Sequence, residues 1–340
     1  MPWEGSEGVK ADARRWLALP LLSATLLISV LLSLGLGSAD VGFTDALRAL
    51  TGGEGGPEAG IVRDIRLPRT VLAVLVGALL AISGTIMQAF FRNVMAGPYL
   101  VGVSSGAALG AVLAMICGWE VRLGKFSTVP LSAFVFALGV VALVYGLNRR
   151  RGRLHTSGLL LTGIAIGSAI SAVVALLMIT SERSIHQVLF WLLGSLSAAR
   201  WDHVEIVLPY AGAGLLIAFV LARDLDLLLW GDVTGASLGV PVERTRTVLL
   251  AASALMTAAA VAVSGVIGFV GLMVPHIARF LLGALHRRLL VGSALLGGIL
   301  LLWADILART LRAPTELPLG AITAIVGAPF LVYLCSRARS

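Results

Sequence analysis

Few side chains in this chain could do chemistry, and their spacing narrows the options. Asp305 and Arg309 lie four residues apart, so on a helix they share a face and can pair. Inside an apolar segment such a pair has two readings: mutual neutralisation near a span end, or the proton relay of an ion-coupled transporter. His276 follows Pro275, with no carboxylate or second histidine at ligand spacing. Its expected role is a structural hydrogen bond. The nearest approach to a phosphate-binding loop is Gly124-Lys125-Phe126, which lacks both the hydroxyl after lysine and the glycine five residues earlier. ATP is therefore not expected to bind by that route, and any energy must come from an ion gradient or another subunit.

These groups sit in a chain of 340 residues that is 58% hydrophobic and 13% charged. A soluble domain carries roughly 25% charged residues. The composition excludes a water-soluble enzyme, a disordered chain and a nucleic-acid binder. Its apolar content fills about ten helices of roughly 20 residues each. The net charge of +8 reads as basic residues held in cytoplasmic loops. Cys117 and Cys335 fall at opposite membrane faces in the topology below, so they cannot pair within one chain. Neither has company suggesting a metal site.

The apolar runs define ten spans. They are Leu17–Gly37, the run after Leu67-Pro68-Arg69 to Gln88, Pro98–Cys117, Phe126–Leu147 and Ser157–Thr180. His203–Ala222, Thr245–Val263, a short broken Ile267–Leu282, Leu290–Thr310 and Leu319–Cys335 follow. Between them, Ser38 to Arg66 is polar, with Thr51 to Gly60 a loop. His186–Leu196 is too brief to cross a bilayer and reads as a surface or half-inserted helix. Most basic residues fall in inner segments when the amino terminus is placed inside, Arg149-Arg150-Arg151-Gly152-Arg153 most clearly. The predicted fold is all-α: one polytopic membrane domain over residues 1–340, its membrane core at about 15–336, both termini cytoplasmic.

Glycine spacing adds a further expectation. Gly102, Gly106 and Gly110 form a ridge on the third span, and Gly163 with Gly167 repeats it on the fifth. Such ridges let helices touch backbone to backbone. They serve tight packing alone, or the third or fifth span also lines a passage for a bulky solute.

Four stretches in order carry a resemblance. They are Ile65-Arg66-Leu67-Pro68-Arg69, Arg92 to Gly110, Gly265 to Arg279, and Glu316 to Pro329. Together they resemble the membrane permease subunit of the ABC importers for ferric siderophores, haem and cobalamin. The resemblance implies a homodimer around a central pathway, two cytoplasmic ATPases that bind ATP and Mg, and a periplasmic or surface-anchored binding protein. It also implies a metal-chelate substrate, a location in the inner (cytoplasmic) membrane among its lipids, no nucleic acid, and no cofactor in this chain. Two positions depart from the family pattern: Val94 follows Asn93 where proline is usual, and Leu285 stands where aspartate commonly precedes the His-Arg pair.

Under this resemblance, residues 224–242 become a cytoplasmic coupling segment. Its Thr234-Gly235-Ala236-Ser237-Leu238-Gly239 would seat in a cleft of the ATPase. Arg66, Arg69 and Arg309, at outer span mouths against the positive-inside bias, would meet acidic residues on the binding protein. The bland alternatives are snorkelling to lipid phosphates and, for Arg309, pairing with Asp305. An ion-gradient-coupled secondary transporter is the rival class.

Overall fold

The computed structural model describes residues 5–37, 57–119, 127–150, 153–180 and 185–337. In chain order its helices are α1 (Gly5–Gly35), α2 (Leu67–Phe91), α3 (Val103–Ile116), α4 (Thr128–Asn148) and α5 (Thr156–Thr180). Next come α6 (Ile185–Leu192), α7 (Trp201–Val220), α8 (Ala222–Leu228), α9 (Asp232–Ser237) and α10 (Val242–Ser264). The last are α11 (Val270–Leu282), α12 (His286–Thr310) and α13 (Leu319–Arg337). Two-residue strands β1 (Arg149–Arg150) and β2 (Arg153–Leu154) pair antiparallel between α4 and α5.

Among the described residues, seven helices are long and apolar enough to cross a membrane, and α3, α11 and α13 are shorter apolar helices. Together they match the ten expected spans in order. The short α6 lies where a half-inserted helix was expected, and its Val188 packs on Ala108, Val112 and Val174. The eighth span is broken as read. Its helix α11 has 13 residues, about 20 Å at 1.5 Å per residue. The chain before it, from Gly265 to Phe269, is unwound. Phe269 there adopts φ +67°, a conformation bulky residues avoid.

One expectation is corrected. Pro57–Gly60, read as loop, is a helical turn, and Ile61–Arg66 continues it as a π-helical turn into α2. Burial explains the extension: Val62 and Arg66 pack inward beside the end of α1, a gain that polar composition does not reveal. The rest of the expected loop, the Gly124-Lys125 pair, Arg151 and the Cys335 side chain lie outside the described residues. Cys117 is exposed and free.

α2 is the buried axis of the bundle. Its most apolar stretch is 78% buried, against 17% for the peripheral α1 and α5. Two glycines let neighbours approach it at backbone distance. A Cβ on Gly77 would strike the carbonyl of Gly297 in α12, and one on Gly84 would strike that of Gly271 in α11. Hydroxyls close the remaining seams. Thr85 Oγ1 donates to Ser293 Oγ of α12 at 3.0 Å, and Ser83 Oγ to the Ser253 carbonyl of α10 at 3.3 Å. Apolar packing supplies little association energy between helices in lipid, so close approach and such hydrogen bonds hold the bundle.

Candidate functional site

The basic end of the bundle, assigned inward by its arginines, carries the expected coupling segment as two short helices. Leu225 and Leu228 bury one face of α8 in the core. Trp230 is 78% exposed and Val233 85% exposed, so the next turns leave the bundle. In α9, Gly235 is buried, while Thr234 and the run Ala236, Ser237, Leu238, Gly239 are exposed together. Gly239 adopts φ +87° with open space where a Cβ would stand. The segment thus presents a small, exposed knob on a buried base.

Three aspartates tie this segment to the spans. Asp224 Oδ2 accepts from Thr245 Oγ1 of α10 at 3.3 Å. Asp232 Oδ1 accepts from Arg246 of α10 at 2.7 Å and lies 3.5 Å from Arg92 at the end of α2. Asp226 Oδ1 holds His286, the first residue of α12. The segment is therefore braced against α2, α10 and α12 together, which a plain loop would not be.

At the opposite end, the arginines singled out by sequence are placed close together but turned inward. Arg66, Arg69 and Arg309 are each less than a tenth exposed. Arg66 Nη1 donates to the Leu34 and Gly35 carbonyls at 2.7 and 3.0 Å. Arg309 Nη2 donates to the carbonyl and hydroxyl of Ser33 at 2.8 and 2.7 Å. Arg69 reaches Asp305 at 2.9 Å and Glu316 at 2.6 Å. Asp305 is thus chiefly the partner of Arg69, with Arg309 Nε farther off at 3.4 Å. The expected i,i+4 pair is one side of a larger cluster, because α2 brings a better-aligned guanidinium to the same carboxylate. Glu316 remains a third exposed.

The glycine ridges separate into two roles. Gly106 and Gly110 meet α4: Cβ atoms there would lie against the Phe136 and Ser132 carbonyls. Gly102, at φ +87°, faces Val140, and Gly163 faces the Leu100 carbonyl. Gly167 is looser, with Ser105 Oγ at 3.4 Å from its would-be Cβ. It borders a cavity of about 520 Å³ shared with Ser104, Ser105, Ser168, Ser171 and Phe269. The run Gly102-Val103-Ser104-Ser105-Gly106 has hydrolase-elbow spacing, yet it opens α3 from a turn, not from a strand. Sequence reading missed Glu316 as a partner of Arg69, and Gly77, Gly84, Gly271 and Gly297 as the central seam. It also missed the aspartate braces.

The FecCD transport family matches residues 25–337 of the chain. The chain is 47% identical to the cobalamin import system permease protein BtuC of Halobacterium salinarum, over 81% of this chain and 73% of that protein. It is 43% identical to the hemin transport system permease protein HmuU of Yersinia pestis, over 94% and 97%. With the Fe(3+) dicitrate transport system permease protein FecD of Escherichia coli the identity is 39%, over 82% and 86%. Among solved structures, an ABC transporter of metal-chelate type in an inward-facing conformation superposes with a TM-score of 0.83. The sequence identity is 32%, covering 94% of this chain and 99% of that one.

Proposed function

Because the chain belongs to the FecCD transport family, we propose that it is the permease subunit of an ATP-driven, binding-protein-dependent importer of a metal chelate. Ferric siderophore, haem and cobalamin are the substrate classes its relatives' names support. The subunit works in the inner (cytoplasmic) membrane as a homodimer, with two ATPases inside and a binding protein outside. The observation that carries this reading is the braced α8–α9 knob, whose exposed Ala236 to Gly239 suit a cleft on a partner. ATP and Mg belong to that ATPase partner.

The mechanism is alternating access. ATP closes the two ATPases, the α8–α9 knobs are drawn together, and the spans follow. The serine-bordered cavity between α3, α5 and Phe269 supports a passage along the third and fifth spans. Its hydroxyls offer weak hydrogen bonds without charge, which suits a pathway that must release its ligand. Arg66, Arg69 and Arg309 serve docking through the surface that their cluster shapes, with Glu316, a third exposed, as an acid at its rim.

The rival, an ion-gradient-coupled transporter, needs an intramembrane carboxylate free to take up a proton. Asp305 was its main candidate, and it is already engaged in a buried ion pair with the Arg69 guanidinium at 2.9 Å. Uptake measured with ATP depleted and the proton gradient kept tests the proposal. Loss of uptake is expected, and persistence would overturn it.

A further inference from the structure

α12 starts without a cap of its own. Leu285 occupies the position before its first residue, and its side chain cannot accept a hydrogen bond. The acceptor comes instead from α8. Asp226 Oδ1 accepts the backbone N–H of His286 at 3.1 Å and pairs with its ring Nδ1 at 2.6 Å. The ring is 2% exposed, and its Nε2 has no hydrogen-bond partner among the described residues. Asp226 therefore sets both the helix start and the ring.

α12 then runs 25 residues, about 37 Å at 1.5 Å per residue. Near its far end stand Asp305 and Arg309, bound to Arg69 of α2 and Ser33 of α1. One helix thus connects the base of the α8–α9 knob to the arginine cluster at the other mouth. The other two aspartate braces hold α10 and the end of α2, and neither of those contacts lies on α12.

We infer that Asp226 is a positioning residue, the joint by which movement of the coupling segment is handed to α12 and carried to the opposite mouth. This rests on the coupling role proposed above for α8–α9. It also accounts for Leu285: with the carboxylate supplied from α8, the start of α12 is held by the coupling segment rather than by its own chain.

The test uses the permease assembled with its ATPase in lipid nanodiscs. A spin label is placed at Leu311, exposed just past α12, in a background with both cysteines replaced. The readouts are ATP hydrolysis and the change in the distance between the two labels on ATP–vanadate trapping. Asp226→Ala should keep hydrolysis but lose the nucleotide-driven change. Asp226→Asn, which retains the acceptor oxygen, should restore it. His286→Gln leaves the backbone bond in place and is the second variant should Asp226→Ala fail to assemble; it should reduce the change about tenfold in the equilibrium between the two distances. The Asp226→Ala/His286→Gln pair should be no worse than Asp226→Ala alone. A full change in Asp226→Ala or in His286→Gln would overturn the inference, as would an unmodified protein whose Leu311 labels do not move. The coupling reading fails separately, if bulky replacements at Gly239 leave ATPase assembly and uptake intact.

Discussion

Arg69 and Asp305, 236 positions apart in the chain, are bound by two contacts from Nε at 2.9 and 3.2 Å and one from Nη2 at 2.9 Å. The pair sits where α2 begins beside the end of α12, with Asp305 wholly buried. Removing one member of a buried pair strands the other charge, at a cost of about 3–5 kcal/mol.

Asp305→Asn should therefore destabilise the protein, by less than that full cost because Glu316 still holds Arg69. Replacing Arg309 by lysine should cost less, because Asp305 keeps Arg69. Thermal unfolding in detergent, followed by aggregation or fluorescence, ranks the two. Equal small losses would show that the cluster is solvated and weak.

The helix seams give a second prediction, built on contrast. Gly106→Leu should prevent assembly, since its Cβ would lie 2.7 Å from the Phe136 carbonyl and 3.0 Å from Ala137 Cα. Gly77→Leu should do the same at the α2–α12 seam. Gly139, in α4, has nothing within 4 Å, so Gly139→Ala should be tolerated and gain up to about 1 kcal/mol of helix stability. Size-exclusion profiles separate these outcomes. A well-folded Gly106→Leu protein would remove the argument for backbone contact there.

How much of this was legible in the sequence depends on range. Span order was legible because apolar runs of about 20 residues report directly on the membrane. The ridge at Gly102, Gly106 and Gly110 was legible because its repeat is local. Gly77 and Gly297 were not, since each is read alone and they meet only once α2 and α12 are packed. Arg69 was recognised as unusual at an outer mouth. Its partner Glu316 lies 247 positions away, beyond any periodicity. The helical turn before α2 escaped notice because its polar residues look like loop, while its burial comes from α1.

Coupling gives a third prediction. Gly239 has φ +87°, where side chains other than glycine and asparagine are strained by roughly 1–2 kcal/mol. Gly239→Trp should insert and fold, because open space surrounds the site, yet lose ATPase binding and uptake. Gly239→Asn tolerates the left-handed backbone, so it should retain both if strain alone matters less than bulk. Co-purification of the ATPase distinguishes them. Normal co-purification and uptake with Gly239→Trp would mean that this turn does not meet the partner.

Docking gives the last prediction, and the geometry decides which substitution is informative. Reversing Arg69 to glutamate would set three carboxylates together, with Asp305 and Glu316 as the other two, so lost docking could simply reflect a collapsed cluster. Glu316 is the better handle. It is a third exposed, while its Oε1 and Oε2 hold Arg69 at 2.6 and 3.1 Å. An acidic residue on a binding protein would compete with it for the same planar fork. Glu316→Gln removes that competing charge and leaves Asp305 to keep Arg69 folded in place. Binding-protein affinity for the assembled transporter should then rise, about twofold to fivefold on the scale of a partly exposed ion pair. The native affinity should fall as salt is added, because the attraction is screened. Weaker docking by Glu316→Gln would place Glu316 itself in the contact, and an affinity indifferent to both Glu316→Gln and salt would remove the arginine cluster from docking altogether.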